Sequence, residues 1–175
     1  PSLTEGMFSE KWRIRQSSLL LLGDLLLLIG EADNAQRAIG SGDGVMVNGK
    51  VGSAVGESDD SDDEEEGQDA ARSGTVGKLR THMGKHWAES ALAAIYILRT
   101  DVSLTVRQSA GNVWKQLVSN TPRLLTEIMD PLVSRLVSLL SSTEPDLAAI
   151  GGKALGETVK KLGDRVLPAV VPHQW

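Results

Sequence analysis

The thirteen residues Val106–Val118, VRQSAGNVWKQLV, recur in altered form at two other places in the chain, and this constrains the fold more than any other feature. Ninety-two residues earlier they lie on Ile14–Leu26, sharing Arg15, Gln16 and Ser17 with Arg107, Gln108 and Ser109. Forty-one residues later they lie on Leu147–Val159. The outer two copies share Leu22, Gly23 and Asp24 with Leu155, Gly156 and Glu157 at the summed offset of 133. Three segments that align in one register form a repeat, and a repeat cannot bury its apolar face without its neighbours. A period near 40 selects stacked antiparallel helix pairs.

The expected fold is therefore all-α, a HEAT/armadillo-like α-solenoid. Such arrays bind other macromolecules along an extended surface and seldom catalyse reactions. Apolar spacing predicts the helices. Trp12–Ile29 carries so many leucines that it reads as a helix buried on more than one side. Trp87, Ala91, Leu92, Ala94, Ile95 and Leu98 outline an amphipathic helix from about Lys85 to Arg99, followed by a turn with Asp101 or Ser103 as N-cap. Val106, Ala110, Val113, Trp114 and Leu117 mark the next helix. Thr121 is expected to cap the one after it, with Pro122 in its first turn. Pro131 should kink or split that helix. Leu147–Leu162 is the last full helix. The leucine-rich helix carries no polar cap, so an exposed apolar flank is expected.

Between Gly30 and Gly84 the composition changes. This stretch holds 12 acidic and 5 basic residues, and nine carboxylates fall within the thirteen residues Glu57–Asp69. So little apolar surface cannot offset backbone ordering of roughly 1–2 kcal/mol per residue, which predicts a disordered acidic insertion. The whole chain carries a formal charge of −5, yet its remainder outside this stretch is slightly basic. The expected organisation is 1–29, the second helix of a first repeat; 30–84, the insertion; 85–121 and 122–165, two repeats; and 166–175, the start of another. The chain opens in mid-pattern without a methionine and ends in an atypical PHQW, which reads as a piece of a longer array.

Candidate chemistry is sparse. The chain has no cysteine, which removes thiolate ligands, thiol nucleophiles and disulfides. Gly44–Val51 (GVMVNGKV) approaches a phosphate-binding loop, but Val51 stands where a magnesium-binding hydroxyl belongs. His82 and His86 have helical spacing, with Glu89 as the one further candidate ligand, short of the four a zinc site needs. Asp60–Glu66 lacks the glycine and the spaced glutamate of a calcium loop. No catalytic set can be assigned, and no enzyme activity, cofactor or metal is expected. Ser61, followed by Asp62, Asp63 and Glu64, suits an acid-directed kinase, and its phosphate would then prime Ser58. Asp101 and Arg107 have the spacing of a ladder linking neighbouring repeats. Arg15 is the equivalent arginine of the first unit, Ser9 replaces its acid, and Ala148 replaces the arginine in the third. Lys153, Lys160 and Lys161 share one side of the last helix with Arg165 just beyond, either a solvated face or a contact for RNA phosphates.

The segments WRIRQSSLLLLGDLL, RTDVSLTVRQSA followed by NVWK, and LGETVKKLGDRVLP closely resemble the general-control (general control non-derepressible) translational activator family. Trp12-Arg13-Ile14-Arg15, Val106-Arg107-Gln108, Asn120-Thr121-Pro122-Arg123 and Lys161-Leu162-Gly163 occur together in that order. Gly111-Asn112 departs from the family's bulkier pair. The resemblance implies HEAT repeats throughout and a cytoplasmic protein that associates with ribosomes. It also implies activation, in amino-acid starvation, of the kinase that phosphorylates translation initiation factor 2 alpha. That kinase would be met through other parts of the protein, since no kinase-binding motif is matched here. Neither DNA nor membrane is expected as a partner. A generic HEAT adaptor, or a spacer without ribosome contact, is the alternative.

Overall fold

The computed structural model describes residues 3–40 and 74–163, and every described element is helical. In chain order they are α1 (Leu3–Gly6), α2 (Trp12–Gly40), α3 (residues 74–83), α4 (Lys85–Leu98), α5 (Leu104–Leu117), α6 (Thr121–Glu127), α7 (Met129–Leu140) and α8 (Pro145–Leu162). Helix follows helix through short turns, and α4 with α5 and α7 with α8 form antiparallel pairs. This is the HEAT-like α-solenoid that the repeat register demands.

Two helix bounds extend past the sequence expectation. The helix beginning at Trp12 does not stop at Ile29, where its leucines end, but continues to Gly40. A further helix, α3, precedes Lys85 and is separated from α4 only by Gly84, whose φ of +83° favours glycine. Most of the acidic insertion, including Glu57–Asp69, the loop-like Gly44–Val51, Ser58 and Ser61, lies outside the described residues. So do Arg165 and the PHQW end.

The core is centred on α4 rather than on the leucine-rich α2. Ala88 to Leu98 of α4 are all buried except Ser90, so this helix is enclosed on every side rather than amphipathic. Its sequence explains why. Residues 91–98, ALAAIYIL, are apolar without a break, and a helix apolar all round belongs in the interior. Its alanines let α5, α7 and α8 approach closely. The helix α2, by contrast, buries Leu19, Leu22 and Leu26 on one face, against α5. Its opposite flank stays open, with Ile14, Leu21 and Leu28 at 45, 58 and 64 % exposure, spaced seven apart along one line. The expected apolar flank is therefore present, and the expectation that α2 is buried on several sides is corrected. Among the described residues α5, the short α1 segment and, at Gly30, α3 pack against it.

Local signals act largely as the residues dictate. Pro131 splits its helix: α6 ends and α7 begins around Ile128 (φ −101°, ψ 20°), where the proline ring would crowd the carbonyl four residues back. The cap of α6 is Asn120 rather than Thr121. The Asn120 side chain accepts from the Arg123 backbone N–H at 3.0 Å, while the Thr121 hydroxyl accepts from Trp114 Nε1 at 3.0 Å. Asparagine outranks threonine at this position, and the indole needs a partner once buried. Asp101 closes a turn by accepting from the Ser103 N–H at 2.8 Å; Ser103 occupies the cap position but makes no side-chain cap bond.

Candidate functional site

The three turns of the repeat superpose in chemistry as well as in sequence. Ser9 accepts from the Lys11 N–H at 3.3 Å, Asp101 from the Ser103 N–H at 2.8 Å, and Ser142 from the Glu144 N–H at 3.2 Å. Each is a side-chain oxygen closing on the backbone two residues ahead. The positions differ by the same offsets, 92 and 41, that relate the three copies.

The arginine that follows each of the first two turns reads the turn behind it. Arg15 Nη1 donates to the carbonyls of Ser9 and Glu10 at 2.9 and 3.1 Å. Arg107 Nη1 donates to the carbonyls of Asp101 and Val102 at 2.7 and 3.1 Å. Their remaining donors then diverge. Arg15 Nε and Nη2 grip the Asp101 carboxylate at 2.8 and 2.9 Å, a bidentate pair with both side chains wholly buried. Asp101 thus joins the first repeat to the second, with Arg15 and not Arg107 as its side-chain partner. For Arg107, among the described residues, no carboxylate completes the fork. By register the next acid would stand at 142, which is serine.

The packing of the inner helices follows the same division. The joint between α2 and α5 is tight: a Cβ on Gly23 would lie 2.8 Å from a Val113 methyl. Between α5 and α8 there is hardly any contact, and α8 rests instead on α7 and α4. Thr100 marks that seat, its hydroxyl donating to Ile97 O at 2.8 Å with Ile150 O at 3.3 Å. The space left beside α8 is a cleft in two adjoining hollows. One is lined by Arg99, Thr100, Arg107, Lys153 and Glu157, the other by Arg99, Glu157, Lys160 and Lys161. The three lysines singled out from sequence are all exposed here, and the structure adds Arg99 and Arg107 to them.

Arg99 had no sequence signal beyond its place at a helix end. Its guanidinium lies over the rings of Tyr96 and Trp114, 5.2 and 5.6 Å from their centroids. The two rings are themselves 5.2 Å apart. Aromatic faces rather than a carboxylate hold this cation, and its Nη1 is shut off from solvent without a hydrogen-bond partner among the described residues. Burial pushes the Tyr96 phenol above its ordinary pKa, opposed by the Thr158 hydroxyl, with Glu157 adding to the rise and Arg99 opposing it. The phenol therefore stays neutral and adds no charge to the cleft.

A second ionic cluster ties α3 to its neighbours. Arg80 bridges Glu89 of α4 at 3.1 Å and Glu127 of α6 at 2.8 Å, and Arg123 adds a contact to Glu127 at 3.2 Å. The hydrogen bond from Arg80 holds the Glu127 carboxyl below the usual glutamate range against some desolvation, with Arg123 helping. Glu89, the third candidate metal ligand, is thereby committed to Arg80. His82 and His86 fall on different helices, α3 and α4, with the Gly84 break between them. Among the described residues no cluster of three or more His, Asp or Glu side chains could hold a metal.

No profile of a known protein family matches the chain, and no solved structure does. Individual proteins do. The human protein named stalled ribosome sensor GCN1 is 37 % identical over 172 residues, 98 % of this chain. The eIF-2-alpha kinase activator GCN1 of Saccharomyces cerevisiae is 32 % identical over the same share. This is a GCN1-family chain. It spans about 6 % of the length of those two GCN1 relatives. The Arabidopsis thaliana protein ILITYHIA is 42 % identical over 151 residues, 86 % of the chain and 5 % of its own length. No described helix is long and apolar enough to cross a membrane.

Proposed function

We propose that the chain is a section of a cytoplasmic, ribosome-associated scaffold that activates the kinase phosphorylating initiation factor 2 alpha in amino-acid starvation. The observation that carries this reading is the alignment of 98 % of the chain with proteins named stalled ribosome sensor and eIF-2-alpha kinase activator. The section works by geometry rather than by chemistry. Its repeats, 85–121 and 122–165 with the end of an earlier one before them, hold a surface at fixed spacing, and the Arg15–Asp101 pair locks two of them together. Lys153, Lys160 and Lys161 on the exposed side of α8, with Arg165 beyond the described residues, supply the contact to ribosomal RNA. The kinase is engaged by other parts of the relatives' length. Phosphorylation of Ser61 and then Ser58 would deepen the negative charge of the insertion and keep it from RNA.

Co-sedimentation with ribosomes across a salt series tests the reading. The expected result is pelleting that weakens as salt rises and is lost when Lys153, Lys160 and Lys161 are all changed to glutamate. Absence of pelleting, with helical circular dichroism intact, overturns the ribosome contact. It leaves the section as a spacer between binding regions.

A further inference from the structure

We infer that the cleft between α5 and α8 is a binding site for the phosphodiester backbone of RNA, with Arg107 and Arg99 at its centre and the three lysines along its rim. This rests on the proposed ribosome contact and gives it a chemical identity and two further residues.

The molecule supplies its own template for what the repeat arginine holds. Arg15 and Arg107 are anchored alike, each with one Nη on two carbonyls of the preceding turn. That anchoring fixes the direction of the rest of the guanidinium. On Arg15 the remaining Nε and Nη2 take a carboxylate in bidentate fashion. Arg107 has no carboxylate partner among the described residues, and it lines the cleft. A planar fork that is pre-oriented and unfilled matches an oxyanion, and phosphate accepts the same bidentate geometry.

The rest of the lining says which oxyanion carrier fits. Arg99, Lys153, Lys160 and Lys161 add four positive charges, and among the described residues none of them forms an ion pair. The side chains lining the two hollows are all charged or hydroxylic, with no apolar residue among them. Protein partners are anchored by aromatic and aliphatic side chains in desolvated pockets, and this cleft offers none. Contacts to a nucleic-acid backbone are polar, cationic and spread along a track. Two adjoining hollows with five cations suit consecutive phosphates better than one ion. Glu157, which lines both hollows, is the single opposing charge and limits affinity.

The test is fluorescence anisotropy of a labelled oligouridylate with the whole chain, over a potassium chloride series, with polyglutamate as competitor. Binding should weaken steeply with salt, and polyglutamate should compete poorly. Each lysine reversed should reduce the log–log salt slope by about 0.7. Arg107→Gln should weaken binding about tenfold or more. Glu157→Gln should strengthen binding about twofold to fivefold, a gain that loss of folding cannot mimic. Unchanged or weaker RNA binding by Glu157→Gln in a chain of native circular dichroism overturns the inference. So does polyglutamate binding as tightly as RNA, which would make the cleft an acidic-peptide site. Ribosome pelleting without oligouridylate binding refutes the phosphate site while the ribosome reading stands; RNA binding without pelleting does the reverse.

Discussion

The joint between α2 and α5 and the gap between α5 and α8 are built from the same repeat, and they behave as opposites. At the first, the arginine of one turn finds the acid of the next, a glycine lets the helices close, and the ion pair between them is wholly buried. At the second, the acid has become Ser142, the next arginine has become Ala148, and α8 leans on α4 and α7 instead of α5. The lesson is that one substituted rung converts a structural arginine into an available one. The closed joint sets geometry, and the open one leaves cationic side chains without ion pairs among the described residues.

The comparison breaks most clearly at the rung itself. Asp101→Ala leaves the buried Arg15 guanidinium without its counter-ion and should cost about 3–5 kcal/mol of unfolding free energy. Arg107→Ala, at the open joint, forfeits only two hydrogen bonds from a half-exposed group and should cost about 1–3 kcal/mol. Urea unfolding of the two variants side by side measures the contrast, and equal losses would mean the two arginines are structurally alike. Glycine substitutions sharpen it further, because their signs should differ. Gly23→Ala must displace Val113, whose β-branched rotamer is restricted in a helix. An overpacking cost of about 1–3 kcal/mol then exceeds the helix-propensity gain. Gly152→Ala on α8 meets nothing within 4 Å and should stabilise by up to about 1 kcal/mol. Thermal midpoints of the pair decide it, and two shifts in the same direction would contradict the assigned packing.

The smallest effect lies away from both joints and is set by pH. Because Glu127 titrates below its ordinary range in the folded chain, the stability it adds is full above the unfolded glutamate pKa. It is lost as pH falls through the lower folded value. Midpoints followed from neutral pH into that acidic window should decline less in Glu127→Gln than in the parent. The group is substantially exposed, so the difference should be modest. Parallel curves would show that the Arg80 contact adds nothing to stability.

How much of this was legible in the sequence depended on whether the signal was local. The repeat offsets carried the equivalence of Ser9 and Asp101 and of Arg15 and Arg107, and helical spacing put three lysines on one exposed side of α8. The partner of Asp101 was not legible, because Arg15 lies 86 residues away and the nearer Arg107 had plausible spacing. The central place of α4 was visible in principle, in the unbroken apolar run 91–98, but its spacing reads as amphipathic while leucine-rich α2 reads as buried on more than one side. Burial depends on what surrounds a helix, and residue type alone does not reveal that. Arg99 joined the cleft unannounced because it is held by rings three and fifteen residues away, an arrangement that no pattern of charges along the chain describes.

The ring stack also gives the molecule an optical signal of its own. Tyr96 is the sole tyrosine of the chain, and its ring centroid lies 5.2 Å from that of Trp114. At that separation excitation absorbed by the phenol passes to the indole, so the folded chain should emit almost no tyrosine fluorescence. Tyrosine emission should rise when α4 and α5 part. The light from one residue therefore reports, without any label, whether the platform beneath Arg99 is intact.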